Sequence, residues 1–316
     1  MIKIGLVNID VSHPKMFSRY LAQGNRMRYA AVYNDGFRGE DEVNAFVEKA
    51  GVDKVCATIE ELVDYADIGF VQGCNWDKHL GYAMAFINAG KPVFIDKPIV
   101  GCLSDCKKLM ELQAAGAKIV GSSSVRYCPE VVEFVNMPAE EKGKLLHASI
   151  TVGVDEFNYA IHAVEGICGL AQSEPVSTTF VGATEVDGQS YENYFVRFAN
   201  GATASYHCVK PRFMLFHAAI MTTTKDYSFT IDNANLYGSL LDQIANYMEG
   251  KDNIIASMKE ITDAVKILLA GKKSKDEGCG EVLINDENLK DVHFDGNAFE
   301  EGYRVGPMSA KIYLED

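Results

Sequence analysis

The sequence has no apolar run approaching the roughly 20 residues a membrane-spanning helix needs, and its opening run reads as a strand rather than a secretory leader. A cytoplasmic protein without a membrane partner is expected. Its eight cysteines, at 56, 74, 102, 106, 128, 168, 208 and 279, form no CxxC pair and no zinc spacing. They read as reduced thiols that mostly pack, and no metal site is expected. Positive charge is scarce: 30 Lys and Arg stand against 44 Asp and Glu, a net −14, and the basic residues are scattered rather than gathered in a stripe. That disfavours a nucleic-acid surface and favours small-molecule chemistry. Internal repeats and low-complexity blocks are also missing.

What is present is length and pattern. A chain of 316 residues with 47% hydrophobic composition suits two domains, with residues 1–122 and 123–316 as the expected division. In the first, the strand-like runs "IKIGLVNI", "RYAAVYN", "ADIGFVQG", "PVFID" and "AKIVGS" are separated by helical stretches. Alternation at this spacing implies right-handed crossovers and a Rossmann-like, doubly wound parallel sheet. From Lys144 the grammar changes to consecutive strands: "KLLHASITVG", one helix, then "STTFVGATEV", "YENYFVRFA", "ATASYHCVK" and "HAAIMTTTKDYSFTID". The Asn-Gly pair in "FANGA" suits a tight hairpin. An α+β domain with a large, mostly antiparallel open sheet is expected, closed by helices over Leu236–Met248 and Ser257–Leu269, the second stopped by Gly271. The tail beyond about residue 274 reads as an arm across a neighbouring subunit or a loose wrapping segment. An open sheet face and a tail suggest a homodimer or homotetramer.

The segment from Cys74 to Val131, "CNWDKHLGYAMAFINAGKPVFIDKPIVG…GSSSVRYCPEV", resembles the Gfo/Idh/MocA family of NAD(P)-dependent sugar and polyol oxidoreductases. The family run T-P-x-x-x-H, then A-G-K-x-V-x-x-E-K-P, then R-[FY]-x-P is matched by Cys74 to His79, by Ala89 to Pro98 with Asp96 for Glu, and by Arg126, Tyr127 and Pro129. The helix "ASMKEITDAVKILLAGKKS" resembles the family's closing helix. The resemblance implies an NAD- or NADP-linked enzyme acting on a CH–OH group of a sugar or polyol. It implies cofactor contacts from Ser12, His13, Cys74, Asn75, Trp76, His79, Asp96, Lys97 and Pro98. In the stretch "EFNYAIHAVEGICGL", His162 matches the family's proton-exchanging histidine and Asn158 replaces the aspartate that orients it.

Read from the residues alone, Lys97 ends a buried parallel strand, where open α/β sheets bind ligands, or is a surface lysine in a βα loop. Asn158, His162 and Glu165 share a helix face at i, i+4, i+7 spacing. Oxidising a secondary alcohol requires a base near neutral pKa and a nearby cation; His162 is the candidate base, Lys97 the candidate cation, and Asn158 the candidate partner of the imidazole. Glu165 reads as a compensating carboxylate or a salt-bridged one. Arg126 and Tyr127 either orient substrate or brace the hinge. Trp76, the single tryptophan, either contacts the nicotinamide ribose or substrate or plugs the space between domains.

The stretch "KIGLVNIDVSHPKMF", Lys3 to Phe17, has the form of a dinucleotide turn without its glycines. The G-x-G-x-x-G positions fall at Asn8, Asp10 and His13. Asparagine tolerates unusual backbone angles, but Asp10 sets a negative charge where pyrophosphate would lie. Asp10 or Ser12 is alternatively a helix N-cap, with Pro14 in the first turn. At the ribose-binding position "YNDGFR" offers Asn34 and Asp35, and Arg38 suits a 2′-phosphate or simple solvation. Two functions stay open: an oxidoreductase with a modified pyrophosphate contact, or a non-redox ligand-binding or regulatory protein on the same scaffold, without its cofactor.

Overall fold

Short β-branched and aromatic runs bounded by turn residues form the strands, and amphipathic stretches with one apolar stripe form the helices that cover them. The computed structural model describes residues 1–121, 123–232, 236–309 and 312–313. The first half runs β1 (Ile2–Val7), α1 (His13–Leu21), β2 (Met27–Tyr33), α2 (Glu40–Ala50), β3 (Lys54–Val55), α3 (Ile59–Tyr65), β4 (Ile68–Val71), α4 (Trp76–Asn88), β5 (Val93–Ile95), α5 (Leu103–Ala114) and β6 (Ile119–Gly121). All six strands are parallel in the order β3-β2-β1-β4-β5-β6. The order reverses direction between β1 and β4, so a crevice opens outside their carboxyl ends. The two-residue β3 and the helix α3 are absent from the sequence reading, because so short a strand leaves no period to read. Ser122, at the expected domain boundary, lies outside the described residues.

After a 3₁₀ turn at Ser124–Tyr127 come α6 (Pro129–Asn136), α7 (Ala139–Lys142), β7 (Leu145–Gly153), α8 (Ala160–Ala171), β8 (Pro175–Val186), β9 (Gln189–Phe198), β10 (Thr203–Lys210), β11 (His217–Thr222), β12 (Asp226–Thr230), α9 (Leu236–Met248), α10 (Met258–Asp276), β13 (Val282–Leu283), α11 (Asp286–Leu289) and α12 (Gly296–Val305). Seven strands form one sheet in the order β12-β11-β7-β10-β9-β8-β13. Only the β7–β10 pairing is parallel. The Asn200–Gly201 hairpin forms, with Gly201 at φ +86°.

Two expectations are corrected. The run from His217 divides into β11 and β12, because the Thr222 hydroxyl accepts from the amides of Thr224 and Lys225 and turns the chain there. Helix α10 does not stop at Gly271 but passes through it to Asp276, since the absent side chain leaves room for the Tyr206 and Tyr194 rings. Its N-terminus carries a Ser257–Glu260 capping box. Helix α8 is buried along nearly its whole length between β7 and α10, while α9 packs on α1 and α10 reaches α5. These contacts fix α8 beside the crevice of the first sheet.

The tail neither leaves the molecule nor lies loose. It adds β13 to the second sheet and returns as α12 along α4 of the first domain.

Candidate functional site

Lys97 follows β5 by two residues, and His162 lies in the first turn of α8; both line one cavity of about 260 Å³ with Ser12, His13, Asn158 and Tyr159. Lys97 is 9% exposed and His162 5%. The Lys97 Nζ donates to the Asn158 side-chain carbonyl at 2.9 Å and to its backbone carbonyl at 3.1 Å. Burial lowers the Lys97 pKa, opposed by the charges of Asp96 and Asp155. Burial also holds His162 well below the ordinary histidine value, with Lys97 and His13 adding to the effect.

The expected contact between Asn158 and the imidazole is not made. Asn158 uses its carbonyl on Lys97, and the His162 Nδ1 pairs instead with the Ser123 hydroxyl at 2.6 Å. That hydroxyl also accepts from the Val125 amide at 3.1 Å, which fixes it at the mouth of the 3₁₀ turn. In the tautomer whose Nδ1–H donates to Ser123, the Nε2 lone pair is the one left to take a proton. Asp155 turns the chain into α8 by accepting from the Phe157 and Tyr159 amides, and sets a carboxylate near Lys97. Neither Ser123 nor Asp155 was singled out in sequence. The signal was faint, a polar triplet "SSS" before the Arg-Tyr-x-Pro run and an Asp ahead of a helix.

His13 and Asp96 are joined, Nδ1 to Oδ2, at 2.8 Å. Asp96 also accepts from Gln72 at 2.9 Å and from the Lys97 amide at 2.7 Å. Burial tends to raise the Asp96 pKa, but His13 and Lys97 outweigh it and the carboxyl stays below its usual value. Pro98 follows Lys97 through a cis peptide bond.

Other candidates go elsewhere. His79 is fully buried and bonds the Gly73 and Ile99 carbonyls, a packing role. Arg126 forms a buried ion pair with Glu165 at 2.5 Å, so Glu165 is salt-bridged. The Tyr127 hydroxyl accepts from the Ala256 amide at 3.0 Å. Arg126 and Tyr127 line a separate cavity behind α8, so they brace the junction between the domains rather than face the Lys97–His162 cavity.

The turn after β1 is tight without glycine. Asn8 takes φ +63°, and its side-chain carbonyl accepts from the Asp35 and Gly36 amides, tying the β1 and β2 ends together. Asn34 is held by the Ile9 amide and the Arg38 carbonyl, and Asp35 by the Tyr33 and Tyr82 hydroxyls. Helix α1 starts at His13 with Pro14 in its first turn, but neither Ser12 nor Asp10 caps it through a side chain. Asp10 instead accepts from the Cys74 amide at 3.2 Å, and its Oδ1 has no partner among the described residues. An unpaired buried acceptor costs about 1–3 kcal/mol. Burial, with Glu300 adding to it, raises the Asp10 pKa to about 6. Among the described residues, Asp10, Cys74 and Glu300 are the one group of three that brings metal-ligating atoms close, within 4.8 Å.

The tail crosses this same ground. The Trp76 indole N–H donates to the Phe294 carbonyl at 2.6 Å, and the ring packs edge-on against Phe157 and at a tilt against Phe299, so Trp76 is a plug and does not line the cavity. Asn75 donates to Asn297 and Glu300, Lys78 to Glu300, Arg38 to the Ser309 carbonyl, and the Tyr313 hydroxyl to the Val11 carbonyl. Arg38 also bonds the Asp10 carbonyl and Glu42, and so is committed on every side.

Residues 4–123 match the profile described as an oxidoreductase family with an NAD-binding Rossmann fold, Gfo/Idh/MocA. Over this domain the chain is similar to the Gfo/Idh/MocA family. The inositol 2-dehydrogenase of Gluconacetobacter diazotrophicus is 32% identical over 119 residues, 37% of this chain and 34% of that protein. That of Paracoccus denitrificans is 28% identical over 156 residues, 47% of this chain and 45% of that protein. The chain thus spans under half the length of these curated relatives. Over 90% of its length it superposes on the myo-inositol dehydrogenase of Lactobacillus casei in complex with NAD(H) and myo-inositol, covering 97% of that chain with a TM-score of 0.75 at 13% identity. It likewise superposes on the scyllo-inositol dehydrogenase of the same organism with NAD(H) and scyllo-inositol, over 90% of its own length and 99% of that chain, with a TM-score of 0.74 at 14% identity. At such identities these likenesses establish the fold.

The end of the crevice beside the turn after β1 does not fit a dinucleotide in this conformation. A carboxylate stands at the second glycine position, Glu300 lies beside it, and residues 294–309 with Tyr313 cover the turn.

Proposed function

We propose that this chain is a Gfo/Idh/MocA member, an NAD- or NADP-linked oxidoreductase acting on a secondary alcohol of a sugar or inositol-like polyol. The observation that carries the proposal is the meeting of Lys97 and His162, 65 positions apart in sequence, in one cavity of about 260 Å³. That volume suits a single sugar-sized ring. A substrate hydroxyl lying between them has a cation to stabilise developing alkoxide and a neutral imidazole to take its proton at Nε2. Asn158 holds the lysine and Ser123 holds the imidazole, so both groups are oriented before substrate arrives. Cytoplasmic location and a homodimer or homotetramer formed through the open sheet belong to the same reading.

The test is turnover of a polyol and sugar panel, followed as NAD(P)H formation, in the parent chain and in Lys97→Met and His162→Ala. Activity on at least one inositol or aldose, lost in both variants, supports the assignment. Undiminished activity in either variant sinks the roles given to these residues.

The covered end of the crevice favours a second reading, a non-redox protein that binds a polyol in the same cavity. Polyol binding without turnover, with either dinucleotide present, is the result that selects it.

A further inference from the structure

We infer that the C-terminal segment, described over residues 294–309 and 312–313, is an intramolecular occupant of the dinucleotide groove, so that cofactor binds by displacing it. The inference rests on the oxidoreductase reading and concerns regulation of that site. The segment touches each element that borders the groove at the carboxyl ends of β1, β2 and β4. Tyr313 reaches Val11 in the turn after β1, Ser309 holds Arg38 after β2, and Asn297 with Glu300 holds Asn75 and Lys78 after β4. These are the three places from which a Rossmann domain of this strand order contacts pyrophosphate and adenosine ribose. Tyr303 and Met308 of the segment also line the cavity that holds Lys97 and His162. One movement therefore uncovers both ends.

The seal is also imperfect in a way that a permanent one has no reason to be. It buries the Asp10 carboxylate with one oxygen unpartnered and brings Glu300 close enough to oppose its ionisation. It is anchored at one side by Phe294 and Phe299 on Trp76 and Phe157, and at the other by the buried Tyr313 ring against Phe46 and the Arg38 guanidinium, with the Arg38–Ser309 and Tyr313–Val11 hydrogen bonds beside it. Apparent affinity for a dinucleotide then equals intrinsic affinity reduced by the fraction of chains that are open.

Two full-length variants that loosen the cover without touching the cavity's catalytic candidates, Tyr313→Ala and Glu300→Ala, are titrated with NAD(H) and NADP(H) by calorimetry. Tyr313→Phe removes only the hydroxyl contact and guards against a folding artefact. Hydrogen exchange of Gly296–Val305 is followed with and without dinucleotide, because displacement must be reciprocal. The expected result is affinity at least tenfold tighter in the loosened variants, and loss of α12 protection in the parent chain when dinucleotide binds. Equal affinity in all forms, with α12 still protected in the bound state, overturns the inference and leaves the oxidoreductase reading intact. No binding in any form, although α12 exchanges freely in the variants, overturns both.

Discussion

The two ends of one crevice have diverged unequally. At the substrate end each buried polar group has its partner: Lys97 has Asn158, His162 has Ser123, and Asp96 has His13 and Gln72. At the covered end the glycines are replaced, Asp10 keeps one oxygen unpaired, and the chain's own tail lies across the turn. The strand order of the sheet is the same beneath both. The contrast teaches that a Rossmann scaffold tolerates replacement of its phosphate turn when side chains such as Asn8 take over the turn's hydrogen bonds, while the Lys97–His162 cavity keeps its buried polar groups partnered.

The sharpest way to break this contrast is to disable the substrate end alone. His162→Ala is expected to lower kcat by about 10²–10⁴-fold, the range for loss of a general base, with dinucleotide affinity unchanged by calorimetry. A matched loss of dinucleotide affinity merges the two ends into one.

Next in size is Asp10→Asn, read by denaturant unfolding at several pH values. The folded pKa of Asp10 is raised to about 6, so between roughly 4 and 6 the native state binds a proton that the unfolded chain, near 3.8, has lost. Its contribution to stability is therefore full below that window and falls as pH rises through it. By pH 7.5 the parent chain is penalised by on the order of 2–3 kcal/mol, and Asp10→Asn removes that slope. An unchanged pH profile means Asp10 is not buried as a carboxylate.

Ser123→Ala gives a smaller effect, about 1 kcal/mol or several-fold in kcat for one lost hydrogen bond, with partial rescue by Ser123→Thr and a shifted pH–rate profile. The smallest is Asn158→Asp. Because this side chain serves Lys97 rather than His162, a carboxylate raises the lysine pKa and moves the alkaline limb of activity upward, with kcat changed less than about threefold. A large gain in kcat restores the orienting role that the sequence suggested for residue 158.

That last expectation marks how far the sequence could be read. The parallel sheet was legible because apolar runs and helices alternate, and the meeting of Lys97 with His162 was legible because the linked motifs place Lys97 and the separate likeness of "EFNYAIHAVEGICGL" places His162. The partner of the imidazole was not, since Ser123 lies 39 residues away and only the 3₁₀ turn brings it near. Arg126 and Tyr127 misled because their motif sits beside the site while their side chains turn behind α8. The tail was illegible for a different reason: a groove that accepts a cofactor or a peptide leaves no local pattern in the segment that fills it.

The central claim, that the Lys97–His162 cavity is a site prepared for a polyol before any dinucleotide binds, is tested most directly by nuclear magnetic resonance of the His162 imidazole. The ring is followed as inositols and sugars are titrated in without any dinucleotide. The account predicts an imidazole neutral through pH 6.5, because burial and Lys97 hold its pKa well below the ordinary value, and a saturable shift of its resonances with at least one polyol. A His162 that titrates at an ordinary pH and responds to no polyol would contradict it.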